Sequence, residues 1–124
     1  PYSGQEMTTG DQAYAYANHY IKVHMAGVAD GKVYEEVSGE FMAANAKLKA
    51  NPTDTALQAE VAKLGGQRTT LFMGSTLVGL LGYAYAFATI GKIALFASYA
   101  AYGAGALLLV LSWLGFRHAK KVTA

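Results

Sequence analysis

TTLFMGSTLVGLLGYAYAFATIGKIALFASYAAYGAGALLLVLSWLGF, residues 69–116, holds a single charged side chain, Lys92. Lys92 divides it into two charge-free runs, 69–91 and 93–116. A helix needs roughly 20 apolar residues to cross a hydrocarbon core of ~30 Å, and each run exceeds that. Only the neighbourhood of Gly91 and Lys92 separates them. The pattern therefore predicts an all-α membrane protein built on a two-helix transmembrane hairpin, residues 67–117, with its turn at Gly91 and Lys92. A basic C-terminal tail, 118–124, follows.

Working back from the hairpin, residues 1–66 read as an extramembrane region of about three short amphipathic helices. The first opens at Asp11, whose carboxylate can cap free backbone N–H groups. Tyr14, Ala17, Ile21 and Val28 follow at helical spacing, and Asp30-Gly31 signals a turn. A second helix spans 33–50, with Val37, Phe41, Ala44 and Leu48 forming its apolar stripe. Its acids, Glu35, Glu36 and Glu40, precede its bases, Lys47 and Lys49, an order that suits the helix dipole. Asn51-Pro52 stops it and starts a third, with Asn51 as N-cap, Pro52 at the first helical position and Asp54 in the first turn. Leu57, Val61 and Leu64 form that stripe, and Gly65-Gly66 is expected to end it. Large apolar residues are few, so this region is predicted to be a docking element with little independent stability. Tyr14, Tyr16, Tyr20 and Phe41 are its candidate subunit contacts, since aromatic residues are enriched at interfaces.

Within the spans, small residues recur at matched intervals: Ser75, Gly79, Gly82 and Ala86 on the first, Ala94, Ser98, Ala101 and Gly105 on the second. Lipid supplies no hydrophobic drive between helices, and small stripes allow close backbone approach. These eight positions are expected to pack the two helices on each other. The opposite faces are large. Tyr99 and Tyr102 lie deep enough to need hydrogen-bond partners and are further candidate subunit contacts. Arg68, Lys92, Trp113 and Arg117 are expected interfacial anchors.

Positive charge near membrane ends sets orientation. Lys63 and Arg68 precede the first span, Arg117, Lys120 and Lys121 follow the second, and Lys92 is alone at the turn. That bias predicts two spans with both termini on the cytoplasmic, matrix or stromal side. Pro1 in place of Met fits either Met removal or cleavage of a targeting peptide. Residues 1–30 lack the continuous apolar stretch of a signal sequence.

Function is narrowed mainly by what the residues lack. There are no cysteines, so thiolate metal sites and cysteine nucleophiles are excluded. The net charge of +2 carries no nucleic-acid argument. His19 and His24 are five apart, a poor spacing for a shared α-helical ligand face, and His118 adjoins Arg117 at a membrane end. Neither span holds an Asp or Glu, which argues against a proton or ion pathway. No phosphate loop, dinucleotide fingerprint or nucleophile elbow occurs. The chain reads as no enzyme. Its length, paired spans and lack of catalytic groups are similar to those of supernumerary subunits of respiratory or photosynthetic complexes, a likeness of type that no motif carries. The expectation is a non-catalytic accessory subunit of an energy-transducing membrane complex (respiratory chain, ATP synthase or photosynthetic). It would sit in an organellar inner membrane, such as the mitochondrial one, or in a bacterial cytoplasmic membrane. Its partners would be other subunits and the lipid bilayer, with structural lipids around it and no cofactor of its own. The alternative is a self-associating hairpin that shapes or permeabilises membrane.

Overall fold

The computed structural model describes residues 2–122, and these contain helices and no strand. In order they form α1 (Gly10–Tyr16), a π-helical turn (Ala17–Ile21), α2 (Lys22–Val28), α3 (Tyr34–Ala50) and α4 (Thr55–Val122). The chain divides into two compact units, Pro1–Ala86 and Phe87–Ala124.

In the first unit, α1 starts earlier than expected. Thr9, and not Asp11, is the cap: its Oγ1 accepts from the Gln12 N–H at 3.2 Å. In return the Gln12 Oε1 accepts from the N–H groups of Thr9 and Thr8, at 2.9 and 2.8 Å. Two orphan donors are thus satisfied at once, the reciprocal arrangement of a capping box. From α1 to the end of α2 the covered positions are Ala13, Ala17, Ile21, Met25 and Ala29, each four residues after the last. In a regular α-helix every such step overshoots one turn by ~40°, so the stripe would wind away from its neighbour. The wider turn at Ala17–Ile21 absorbs part of that drift.

α2 closes at the expected Asp30-Gly31. Asp30 has φ 53° and Gly31 φ 83°, and the Gly31 N–H donates to the Ala26 carbonyl at 2.8 Å. That six-residue closure over left-handed backbone satisfies a carbonyl the helix end leaves open. α3 matches its expected span. The Glu36 carboxylate accepts from the Val33 N–H at 2.8 Å, which stabilises the first turn. Val37 and Ala44 are buried, Phe41 and Leu48 half-buried.

α4 departs most from expectation. Its cap is Asp54, not Asn51: Asp54 Oδ1 accepts from the N–H groups of Ala56 and Leu57 at 2.9 and 3.1 Å. The stripe of Leu57, Val61 and Leu64 does face the core. The helix then runs on through Gly65-Gly66, expected as its end, and through Gly91-Lys92, expected as a turn. The turn expected at Gly91-Lys92 is therefore helical, and the two-helix hairpin is not confirmed. Glycine in a helix interior costs only ~1 kcal/mol relative to alanine, and near Gly91 there is no Pro, Asn or Asp to stop the chain. Gly65 has a packing role instead, because a Cβ there would lie 3.4 Å from Cε2 of Phe41. The expected tail is also helical as far as Val122; its last two residues lie outside the described part.

The core of the first unit is small: Ala29, Val37, Ala44, Leu64 and Leu71, flanked by Met25, Tyr34, Phe41 and Val61. Across 93–116 every residue is exposed except the half-buried Ser98.

Candidate interaction surfaces

Three contacts tie the N-terminal helices to α4. Gln67 Nε2 donates to the Val28 carbonyl at 2.9 Å. Gly74 lies under Met25, whose Sδ and Cγ would overlap any Cβ built there. The rings of Tyr14 and Tyr85 are 5.0 Å apart. Residue numbers fall on one strand as they rise on the other, so α1 and α2 lie antiparallel along residues 67–85. Leu71 and Gly74 are buried beneath them, with Val78 and Leu81 half-buried.

Arg68, expected as a membrane anchor, is a clamp in this unit. Its Nε and Nη2 donate to the Tyr34 hydroxyl at 3.3 and 3.2 Å. Its guanidinium carbon is 5.6 Å from the centre of the Tyr34 ring and 5.2 Å from that of Phe41. Arginine between two aromatic faces gains from cation–π attraction while hydrogen bonding in its own plane. The hydrogen bond from Arg68, then that with Ser38, holds the Tyr34 phenol below its ordinary range near 10. Phe41, half-buried, packs inside the unit against Arg68 and Gly65.

The other expected contacts are outward. Tyr14 is 48% exposed, Tyr16 44% and Tyr20 58%. Tyr16 stacks on Tyr20 at 5.0 Å and 13°, and Tyr20 on His24 at 6.1 Å and 8°. This aromatic ladder was not anticipated, though its spacing of i, i+4, i+8 is legible in the chain. It lies over the π-helical turn, which nothing in the local sequence announces. Tyr99 and Tyr102 are exposed, and Trp113 carries the Arg117 guanidinium 5.6 Å above its ring. Lys92 is exposed on a helical turn.

The expected packing of the small residues on each other is not shown. Ser75, Gly79, Gly82 and Ala86 are exposed, as are Ala94, Ala101 and Gly105, and Ser98 is half-buried. A Cβ added at Gly79, Gly82 or Gly105 would meet nothing within 4 Å. Both stripes belong to α4, helical from Thr55 to Val122. On α1 and the π turn, Gly10, Ala13, Ala17 and Ile21 are buried, three of them small. On α4, Phe72, Met73, Leu77, Leu80 and Tyr83 are 49–65% exposed.

Polar groups along the helix are turned inward to its own backbone. The hydroxyls of Thr69, Thr70 and Thr76 donate to carbonyls one turn earlier at 2.9–3.1 Å, and that of Ser98 to Leu95 at 2.7 Å. Among the described residues, no group of three or more His, Cys, Asp or Glu is placed to hold a metal ion. No family model matches the chain, and no curated protein or solved structure is similar to it.

Proposed function

We propose that this chain is a non-catalytic accessory subunit of a multi-subunit membrane complex, anchored by α4 and docked to its partners through the first unit. The observation that carries the reading is the uncovered apolar strip of Phe72, Met73, Leu77, Leu80 and Tyr83, on the same stretch of α4 whose other side is core. A contiguous apolar patch of that size needs a partner, protein or lipid, to leave water. The aromatic ladder of Tyr16, Tyr20 and His24 adds a second outward surface of the kind favoured at interfaces. An energy-transducing complex suits a subunit without chemistry of its own, whose work is assembly and stability. Solubilising the native membrane in mild detergent and identifying the chains that co-migrate tests this. The expected result is a fixed set of partners at constant stoichiometry, lost when Leu80 and Tyr83 are both replaced by Lys. A chain that migrates alone or only with copies of itself, and that permeabilises vesicles, would favour a membrane-shaping protein and end the subunit reading.

A further inference from the structure

We infer that the chain crosses the bilayer once, through residues 93–116, and that residues 69–86 stand outside the hydrocarbon as the seat of α1 and α2. This rests on the anchoring role of α4 proposed above. It differs from the expectation of two spans, and it changes which compartment receives the N-terminal helices.

The first ground is what covers each run. The antiparallel seat of α1 and α2 on residues 67–85 brings exposed His19, Lys22 and His24 alongside the first run. Met25 sits over Gly74, so Lys22, three residues earlier, lies about level with Leu77. If the run from residue 69 were in lipid, Lys22 would lie roughly 12 Å beyond its start, counted at ~1.5 Å per residue. Its ammonium is held by Asn18, a neutral partner, with Nζ 2.7 Å from Oδ1. A lysine at that depth with no acid beside it is strongly disfavoured. The second run imposes no such cost. Residues 93–116 carry no charged side chain, and all are exposed except the half-buried Ser98. At ~1.5 Å per residue they measure about 36 Å, enough to cross ~30 Å of hydrocarbon with some tilt.

The second ground is continuity. The backbone is helical through Gly91 and Lys92, so α4 has no turn by which to re-enter the membrane.

The third ground is charge. All eight Asp and Glu lie in residues 1–60, and beyond Glu60 the charged side chains are Lys and Arg only. Trp113, Arg117, Lys120 and Lys121 fall at i, i+4, i+7 and i+8, one face of the helix, with Arg117 folded back over Trp113. An aromatic with cations just beyond it suits the boundary of an anionic leaflet. With one span, the charges that set orientation are Lys92 before it and Arg117, Lys120 and Lys121 after it. Arg68 lies too far along the chain to count and is engaged with Tyr34. The C-terminal end therefore faces the cytoplasm, matrix or stroma. The helices α1–α3 face the opposite compartment.

The chain has no cysteine, so single-cysteine variants of the full-length protein in its native membrane read this directly. Ser3→Cys, Val23→Cys and Val122→Cys in sealed membranes are treated with a membrane-impermeant maleimide before and after permeabilisation, after a separate portion has been extracted with alkaline carbonate. The expected result is labelling of Ser3→Cys and Val23→Cys from outside, and of Val122→Cys only after permeabilisation. Labelling of Ser3→Cys and Val122→Cys from the same side would overturn the single crossing while leaving the anchor intact. A Val23→Cys thiol reached only after detergent would place α2 in lipid and overturn it as well. The reverse pattern, with only Val122→Cys open from outside, would overturn the orientation. Release of the protein by carbonate would remove the anchor itself, a separate failure seen before any labelling.

Discussion

Residues 69–86 and 93–116 look alike as composition: both are charge-free, rich in Ala, Gly and Leu, and dotted with Tyr and Phe. Their surroundings differ. The first run is buried along one side at Leu71 and Gly74, under α1 and α2. The second is bare on every side. The difference therefore lies not in the runs but in a segment more than forty residues earlier, which packs on one of them. Apolar length alone names a helix that dislikes water; the cover on that helix decides which solvent it meets.

The sharpest way to break this comparison is to place a charge in each run. Leu108→Arg puts a guanidinium in the middle of the bare run, at a cost of roughly 2.5–3.5 kcal/mol for membrane insertion. That corresponds to about a hundredfold in the insertion equilibrium, read as a loss of carbonate-resistant protein. Gly79→Arg enters open space on the first run, and the membrane-bound fraction is expected to stay as it was. Equal losses for the two would erase the distinction.

Bulk tests the covered side. Gly74→Leu drives a side chain into Met25 and is expected to destabilise the first unit by about 1–3 kcal/mol, as overpacking does. Gly82→Leu meets no neighbour and should leave the melting of the purified chain unchanged or slightly raised, since leucine forms helix better than glycine. Thermal unfolding followed by circular dichroism separates them. If Gly82→Leu impairs assembly in the native membrane while sparing the isolated chain, its stripe meets a partner and not this chain.

A smaller effect is expected at the start of the cover. Thr9→Ala removes a cap acceptor and should cost ~1 kcal/mol, read as faster amide exchange in α1 with α3 unaffected. The smallest concerns Tyr34. Its phenol is held below the ordinary value by Arg68, so its contribution is present above about pH 10 and fades as pH falls through the folded value. At neutral pH it adds nothing. Lys32, raised chiefly by its hydrogen bond to Glu40, has the opposite sign: its contribution is full at neutral pH and is lost as pH rises through its folded value. In an ultraviolet difference titration Tyr34 should ionise below its ordinary value, and Arg68→Met should raise it.

Much of this architecture is legible in the chain. The stripe of Val37, Phe41, Ala44 and Leu48, the closure at Asp30-Gly31 and the apolar character of α4 all follow from spacing and turn chemistry. The capping pair of Thr9 and Gln12 was there to be read, at the spacing that reciprocal caps require. Continuity through Gly65-Gly66 and Gly91-Lys92 was not. Glycine marks a helix end only when left-handed backbone is needed, and Gly65 is instead a seat for the Phe41 ring, a tertiary fact. The clamp of Arg68 joins residues 34 positions apart, beyond the reach of any local pattern.

The π-helical turn at Ala17–Ile21 makes the chain unusually sensitive to length at one place. Most loops absorb an inserted or deleted residue with little effect. Here, removing one residue would restore a regular helix and turn everything before it by ~100°. Tyr14 would swing off Tyr85, while α2, α3 and the Arg68 clamp kept their places. The extra residue thus works as a dial between two halves of one rod. It sets which side of the first helix is sealed against α4 and which side is left to meet the outside.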